Sequence, residues 1–454
     1  MMTPPVTGPP VIGPPVTGPP VTGPIAALAQ RLAATGDAQA LFEKSLARIA
    51  QDDTRWNAML ALDPAVDIAK LTPGPLHGVP IAIKDNIDMA GMATTSGCRA
   101  LARAMPPSDA TVVARLRAAG AVLIGKTNMS ELSFEIRSRS SLGGDVVCPF
   151  DPGSTAGGSS GGSAVAVLRG YAVAALGTDT GGSVRIPASI NGLVGFRPAH
   201  GILPMAGIAP LAPSTDTVGP IARCVADALH IYRIMGGTVN RVVIGRVSGA
   251  LAPTRIGMLR QAFGSDPRIL AAMETGCARL MRAGVALVDP FTIDDIDLHL
   301  GGLHIVDVEF AAAFDAYLAQ HFATGTAPPS LADLVASREF LAEYEPVLRD
   351  RMAIDPGEAV AVLARHAALT RALRVAMTLA GIDGLIYPTL RVVPDSLDNP
   401  KGGWAAELAA RTGWPAISVP VCTETGARPI GIELLLPAGE EARLFALATL
   451  LETE

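Results

Sequence analysis

The sequence predicts an α/β fold, with a large central sheet covered by helices on both faces. Three observations carry that prediction. Short apolar runs alternate with stretches of helical periodicity from residue 25 to the C-terminus, a rhythm that places helices on the two sides of one sheet. A chain of 454 residues, 49% of them hydrophobic, can bury a large core. Gly157 to Pro187 sets two glycine-lined serine loops on either side of an apolar, alanine-rich segment, Ala164 to Leu176.

Pro4 to Pro24 repeats Pro-Pro-Val-Thr-Gly, with Ile12 once in the threonine place. Such a segment favours an extended, solvated chain, so residues 1–24 read as a disordered tail. Ile25 to Ala50 has apolar positions recurring at helical spacing. Pro73 to Pro80 leads into Ile81-Ala82-Ile83, a short strand that ends at Lys84-Asp85-Asn86. Ser108 to Ala119 predicts an amphipathic helix capped by Ser108 or Asp109 and closed by Gly120. Ala121–Ile124 follows as a buried strand. Further strands are expected at Ala172–Leu176, Val242–Gly245, Arg255–Met258, Val285–Val288, Gly384–Tyr387, Ala416–Val421 and Ile430–Leu436. Leu303 to Ala380 is largely helical, and a last helix spans Glu440 to Leu451. No linker-like change of composition interrupts residues 25–454. They read as a single domain with a helical insertion around 300–380.

Composition excludes several function classes. The net charge is −6 and charges are interspersed, so no footprint for nucleic acid or an anionic membrane is visible. No run of about 18 uncharged apolar residues predicts a membrane span. Cys98, Cys148, Cys224, Cys277 and Cys422 are scattered. No pair has metal-ligand or redox spacing, so neither metal nor cofactor is expected. Reduced cysteines and the lack of a leader pattern point to a cytoplasmic protein.

One motif matches and is set aside. Gly120-Ala121-Val122-Leu123-Ile124-Gly125-Lys126-Thr127 fits the phosphate-loop pattern letter for letter. That mechanism needs a strand, then an open loop, then a helix. Here the helix comes first, and the four middle residues favour a buried strand whose N–H groups are used in the sheet.

The chemistry concentrates in the glycine loops. Glycine- and serine-rich clusters usually mark plain loops. In the order Thr180-Gly181-Gly182-Ser183, however, they can aim backbone N–H groups at one point, as an oxyanion requires. Ser183 is the nucleophile candidate. None of the seven histidines lies in a recognisable triad motif, although chain order alone does not exclude one. A lysine acts as a base only when neutral, which burial can bring about. Lys84, directly after an apolar strand, is placed for that, whereas an isolated lysine at a strand end is ordinarily at the surface.

On these residues and loops, the chain resembles the amidase signature family. The match runs through Gly78–Asp85, Gly125–Met129, Gly157–Ser163, Gly177–Pro187, Gly195–Pro198, Asp216–Pro220, Gly413–Pro420 and Arg428–Ile432. The resemblance implies that the large central sheet, covered by helices on both faces, is mixed and twisted, and that the chain is a serine hydrolase cleaving a C–N bond in a small amide-type substrate through a Ser–Ser–Lys triad. Ser183 matches the nucleophile, Ser159 the bridging serine held by a cis peptide bond, and Lys84 the base. The N–H groups of Thr180, Gly181, Gly182 and Ser183 would hold the oxyanion. Ser160, Asp179 and Arg185 match supporting positions, and Phe134 and Ile136 lie in the segment that lines the acyl pocket in relatives or else belong to the core. Gly143-Gly144 reads as a flexible rim.

Family members act on amides, aryl amides, carbamates or ureas, and one branch supplies ammonia within an amidotransferase complex. The chain departs from the common pattern at Arg428, where leucine is usual, and at Glu433, where glutamine is common. The helices of 300–380, low in charge and carrying several aromatics, are expected to cap the channel and favour an apolar or aryl substrate. A homo-oligomer is compatible with the sequence. The other readings are a non-catalytic binding module and an amidotransferase-type subunit.

Overall fold

The strand Pro80–Lys84 shows how the chain builds its layers. Side chains alternate across a strand, so Ile81 and Ile83 enter one apolar core and Ala82 the other. The same alternation sends Lys84 to the Ala82 side, at the strand's C-terminal end. Helix Gly161–Leu168 covers that side, contributing Ala164, Val165, Ala166 and Val167 to the Ala82 core.

The computed structural model describes residues 24–239, 254–322, 325–397, 406–422, 428 and 430–452. Among them lies an 11-stranded sheet. From edge to edge its strands are Met59–Leu62, Val122–Thr127, Pro80–Lys84, Ala174–Asp179, Thr217–Ala222, Val194–Arg197, Ala416–Val421, Ile430–Leu435, Gly384–Pro388, Arg255–Leu259 and Ala286–Phe291. Pro80–Lys84 runs parallel to both neighbours, and Arg255–Leu259 does the same near the other edge. The central pairs are antiparallel, which makes the sheet mixed. Helices from both ends of the chain, including Pro24–Thr35, Val225–Ile234, Pro267–Arg282 and Glu441–Glu452, build the larger core on the opposite side.

Several expectations shift locally. The helical stretch from Ile25 is two helices, Pro24–Thr35 and Ala38–Trp56. Gly36 between them sits at φ +74°, a left-handed backbone that breaks the ladder. The helix expected from Ser108 starts at Thr111 without a side-chain cap. Asp109 instead accepts the Ala90 N–H at 2.8 Å and pairs with Arg117. Val122–Thr127 is a fully buried strand paired on both sides, so the phosphate-loop pattern is sheet. The tail at 1–24, save Pro24, and the strand expected at Val242–Gly245 lie outside the described residues.

The segment around 300–380 forms helices Ile305–His321, Leu331–Ser337, Glu345–Ala353 and Ala359–Ala380. Phe310, Phe314, Leu331 and Leu348 pack with Leu101, Leu132 and Leu211 in a cluster of their own. That packing lays the helices over the loops at the C-terminal end of Pro80–Lys84. No helix of the described residues is long and apolar enough to cross a membrane.

Candidate active site

Lys84 is fully buried, and its Nζ lies 2.7 Å from Ser159 Oγ and 2.7 Å from Thr178 Oγ1. Asn86 donates to the same threonine oxygen at 3.0 Å. Burial dominates the lysine's electrostatics. It lowers the ammonium pKa to about 7, against the opposing pull of Asp179 and Asp216. An amine at that value exchanges its proton near neutrality, as a general base requires.

The loop before helix Gly161–Leu168 is shaped by close approach. Gly157 sits at φ +79°, and a Cβ on Gly162 would run into the carbonyl oxygens of Asn128 and Ala58. The Gly158–Ser159 peptide is cis. Ser138 clasps the loop, donating through Oγ to the Gly157 carbonyl and accepting the Gly161 N–H, both at 2.8 Å. The Ser159 carbonyl accepts the Ser130 N–H at 3.1 Å.

The second loop meets the first backbone to backbone, the Ser160 N–H donating to the Ser183 carbonyl at 3.2 Å. Ser160 Oγ in turn donates to the Thr178 carbonyl at 3.3 Å. Asp179 organises the turn that follows. Its carboxylate accepts the N–H groups of Gly182 at 2.9 Å and Val184 at 3.1 Å, and pairs with both Arg185 and Arg197. Burial alone would raise this acid, but the two guanidiniums hold it well below the usual carboxylate range. Thr180 is fixed from the other side, donating through Oγ1 to Asp216 at 2.6 Å.

This geometry changes one expectation. The Gly182 N–H is taken by Asp179, because the loop folds back over the carboxylate. Among the described residues the N–H groups of Thr180, Gly181 and Ser183 have no intramolecular acceptor, so three donors rather than four are open to a ligand.

Ser183, Thr180 and Gly181 line a cleft of about 300 Å³ with Phe134, Ile136, His304, Asp307, Arg351, Glu407 and Arg411. Phe134 is both lining and core: it meets Phe310 edge-on at 4.7 Å, and the Arg351 guanidinium lies 4.2 Å above its ring. Residues of the 300–380 segment, among them Ile305, Val306, Asp307 and Arg351, line the cleft beside Phe134, Ile136 and Leu211. Arg351 pairs with Asp307 at 3.0 Å and Arg411 with Glu407 at 2.8 Å, so the lining carries compensated charge. Gly143-Gly144 is no rim of this cleft. Asn57 and Asn128 side-chain amides hold their carbonyls, and Gly143 lines a separate groove beside Met59 and Leu142.

Sequence reading gave no role to Thr178, Ser138, Arg197 or Asp216. Arg197 and Asp216 had one available signal, a charged residue inside or next to an apolar strand. Thr178 and Ser138 act through hydroxyls whose partners are set only by folding.

Comparison with known proteins identifies the family and the fold. A family model described as Amidase matches residues 40–445. The chain is 32% identical to mandelamide hydrolase of Pseudomonas putida, over 91% of this chain and 87% of that protein. It is likewise 32% identical to a subunit of glutamyl-tRNA(Gln) amidotransferase from Synechococcus sp. (strain RCC307), over 89% of each. Among solved structures it resembles the native peptide amidase of Stenotrophomonas maltophilia, with a TM-score of 0.81, 30% identity, and 96% and 97% of the two chains covered. The chain therefore belongs to the amidase family, whose enzymes act on C–N bonds.

Proposed function

We propose that the protein hydrolyses a small amide through an acyl-enzyme on Ser183, with Ser159 and Lys84 as the proton relay. The observation that carries the reading is the fully buried Lys84 amine, 2.7 Å from Ser159 Oγ. In this reading Ser183 Oγ attacks the carbonyl carbon while its proton passes to Ser159 and the Ser159 proton to Lys84. The oxyanion is held by the N–H groups of Thr180, Gly181 and Ser183. The C–N bond breaks as Ser159 protonates the leaving amine and recovers a proton from Lys84. Water, deprotonated through the same relay, then attacks the acyl carbon, releasing the acid and restoring Ser183.

The cleft supports a small amide whose apolar or aryl group, expected from composition, would lie against Phe134, Ile136, Leu211, Ile305 and Val306, with the Arg351–Asp307 and Arg411–Glu407 pairs on its polar flank. Esters and carbamates would meet the same nucleophile. A panel of amide, ester and carbamate substrates, with Ser183→Ala as control, tests the assignment. Turnover of an amide that survives Ser183→Ala would overturn it.

A second reading, an ammonia-supplying component of a complex, is favoured by the likeness to the amidotransferase relative. It predicts glutamine as the best amide and copurification with partner proteins from the source organism. A free chain that ignores glutamine and hydrolyses other amides would exclude it.

A further inference from the structure

One buried acid lies beyond the residues that the amidase reading uses. Glu433, on strand Ile430–Leu435, has zero exposure. The register sets it opposite Tyr387 on one neighbouring strand and Ser418 on the other. Its Oε1 accepts from Tyr387 Oη at 2.8 Å and from Arg185 Nη1, whereas Oε2 has no partner among the described residues. Burial raises this carboxyl to about 7, against the pull of Arg185 and Tyr387 and with a further push from Asp179. Arg185 is therefore gripped at both edges. Nη1 meets Glu433, while Nε and Nη2 meet Asp179 at 3.1 and 3.0 Å.

We propose that Glu433 is a positioning residue for acyl transfer, fixing through Arg185 the Asp179 carboxylate that shapes the loop carrying Ser183. The inference rests on the Ser183 reading above. It requires one acceptor oxygen at position 433, correctly placed, and does not require the charge. Glutamine keeps that oxygen and sets its amide nitrogen where Oε2 already lacks a partner. Leucine leaves the Arg185 Nη1 and Tyr387 Oη donors unpaired in a dry interior and frees the guanidinium to turn off Asp179. Aspartate keeps the charge but draws the oxygen back by one methylene.

The test is steady-state kinetics on one primary amide for wild type, Glu433→Gln, Glu433→Leu, Glu433→Asp and Ser183→Ala. Active sites are titrated by a fluorophosphonate in the variants that keep Ser183. The expected kcat per active site is within about threefold of wild type for Glu433→Gln, and lower by about tenfold or more for Glu433→Leu with KM little changed. Glu433→Asp, which keeps burial and charge, should lose about fivefold or more in kcat, and it decides the matter if the leucine variant does not fold. Wild-type kcat per site in Glu433→Asp, or a loss carried by KM alone, would overturn the proposal. An inactive Ser183→Ala beside such a result would sink the Glu433 inference only. An active Ser183→Ala would sink the reading beneath it.

Discussion

Asp179 and Arg197 are locked together at zero exposure, with Nη1 3.0 Å from Oδ1, on strands separated by Thr217–Ala222. Arg197 also donates through Nη2 to the Thr215 carbonyl at 2.6 Å. The ends of three strands thereby converge on the loop that presents Ser183. An interior ion pair of this kind is costly to break because the survivor keeps its charge without water.

Removing the Asp179 charge should accordingly cost both stability and rate. Asp179→Asn leaves two guanidiniums facing one neutral acceptor and is expected to lower unfolding free energy by about 3–5 kcal/mol. Urea denaturation at neutral pH measures it. A change under about 1 kcal/mol would mean that water reaches the cluster.

Lys84 makes a prediction about pH. Its folded-state pKa is lowered from 10.5 to about 7, so the neutral base is populated above that value. kcat/KM should fall as pH drops through about 7 and reach a plateau above it. The stability effect has the same sign. Between about 7 and 10.5 the unfolded lysine binds more protons than the folded one, so unfolding free energy should rise with pH over that window. A flat rate profile from pH 5 to 9 would remove Lys84 from the relay.

Replacing the base tests the same group without titration. Lys84→Met fills the space with an uncharged chain of similar length. Loss of a general base lowers kcat by roughly 10²–10⁴-fold. Because the buried ammonium is gone, stability near pH 7 should be equal to or above that of wild type. Thermal unfolding and single-turnover kinetics read the two effects separately.

Gly162 is expected to tolerate no side chain. A Cβ there would overlap backbone oxygens of Asn128 and Ala58, neither of which can swing away as a side chain would. Gly162→Ala should destabilise by about 1–3 kcal/mol or more, and it should displace Ser159, lowering kcat. A crystal structure of the variant with an unmoved Ser159–Lys84 contact would contradict this.

Much of this was legible from residue order alone. The apolar runs at Ile81–Ile83, Ala121–Ile124, Ala416–Val421 and Ile430–Leu436 became strands because burial on both faces leaves a continuous signal in the chain. Ser183 among its glycines and Lys84 at the end of its apolar strand were candidates from the residues themselves, whereas Ser159 entered only through the family resemblance. Legibility failed where partners come from far along the chain. The cap expected at Ser108 or Asp109 lost to a contact with Ala90, and Glu407 and Arg411, which lie outside the 300–380 segment on helix Glu407–Thr412, join the lining of the cleft.

Local patterning therefore determined the layered architecture and the two glycine-lined serine loops, because both depend on neighbours within a few residues. Tertiary structure alone decided that the amine of residue 84 is dry, that Gly182 gives its N–H to Asp179, and that Glu433 meets Arg185 on the helix packed against its strand. Desolvation and long-range pairing are set by what packs above a residue, and no short stretch of sequence encodes that.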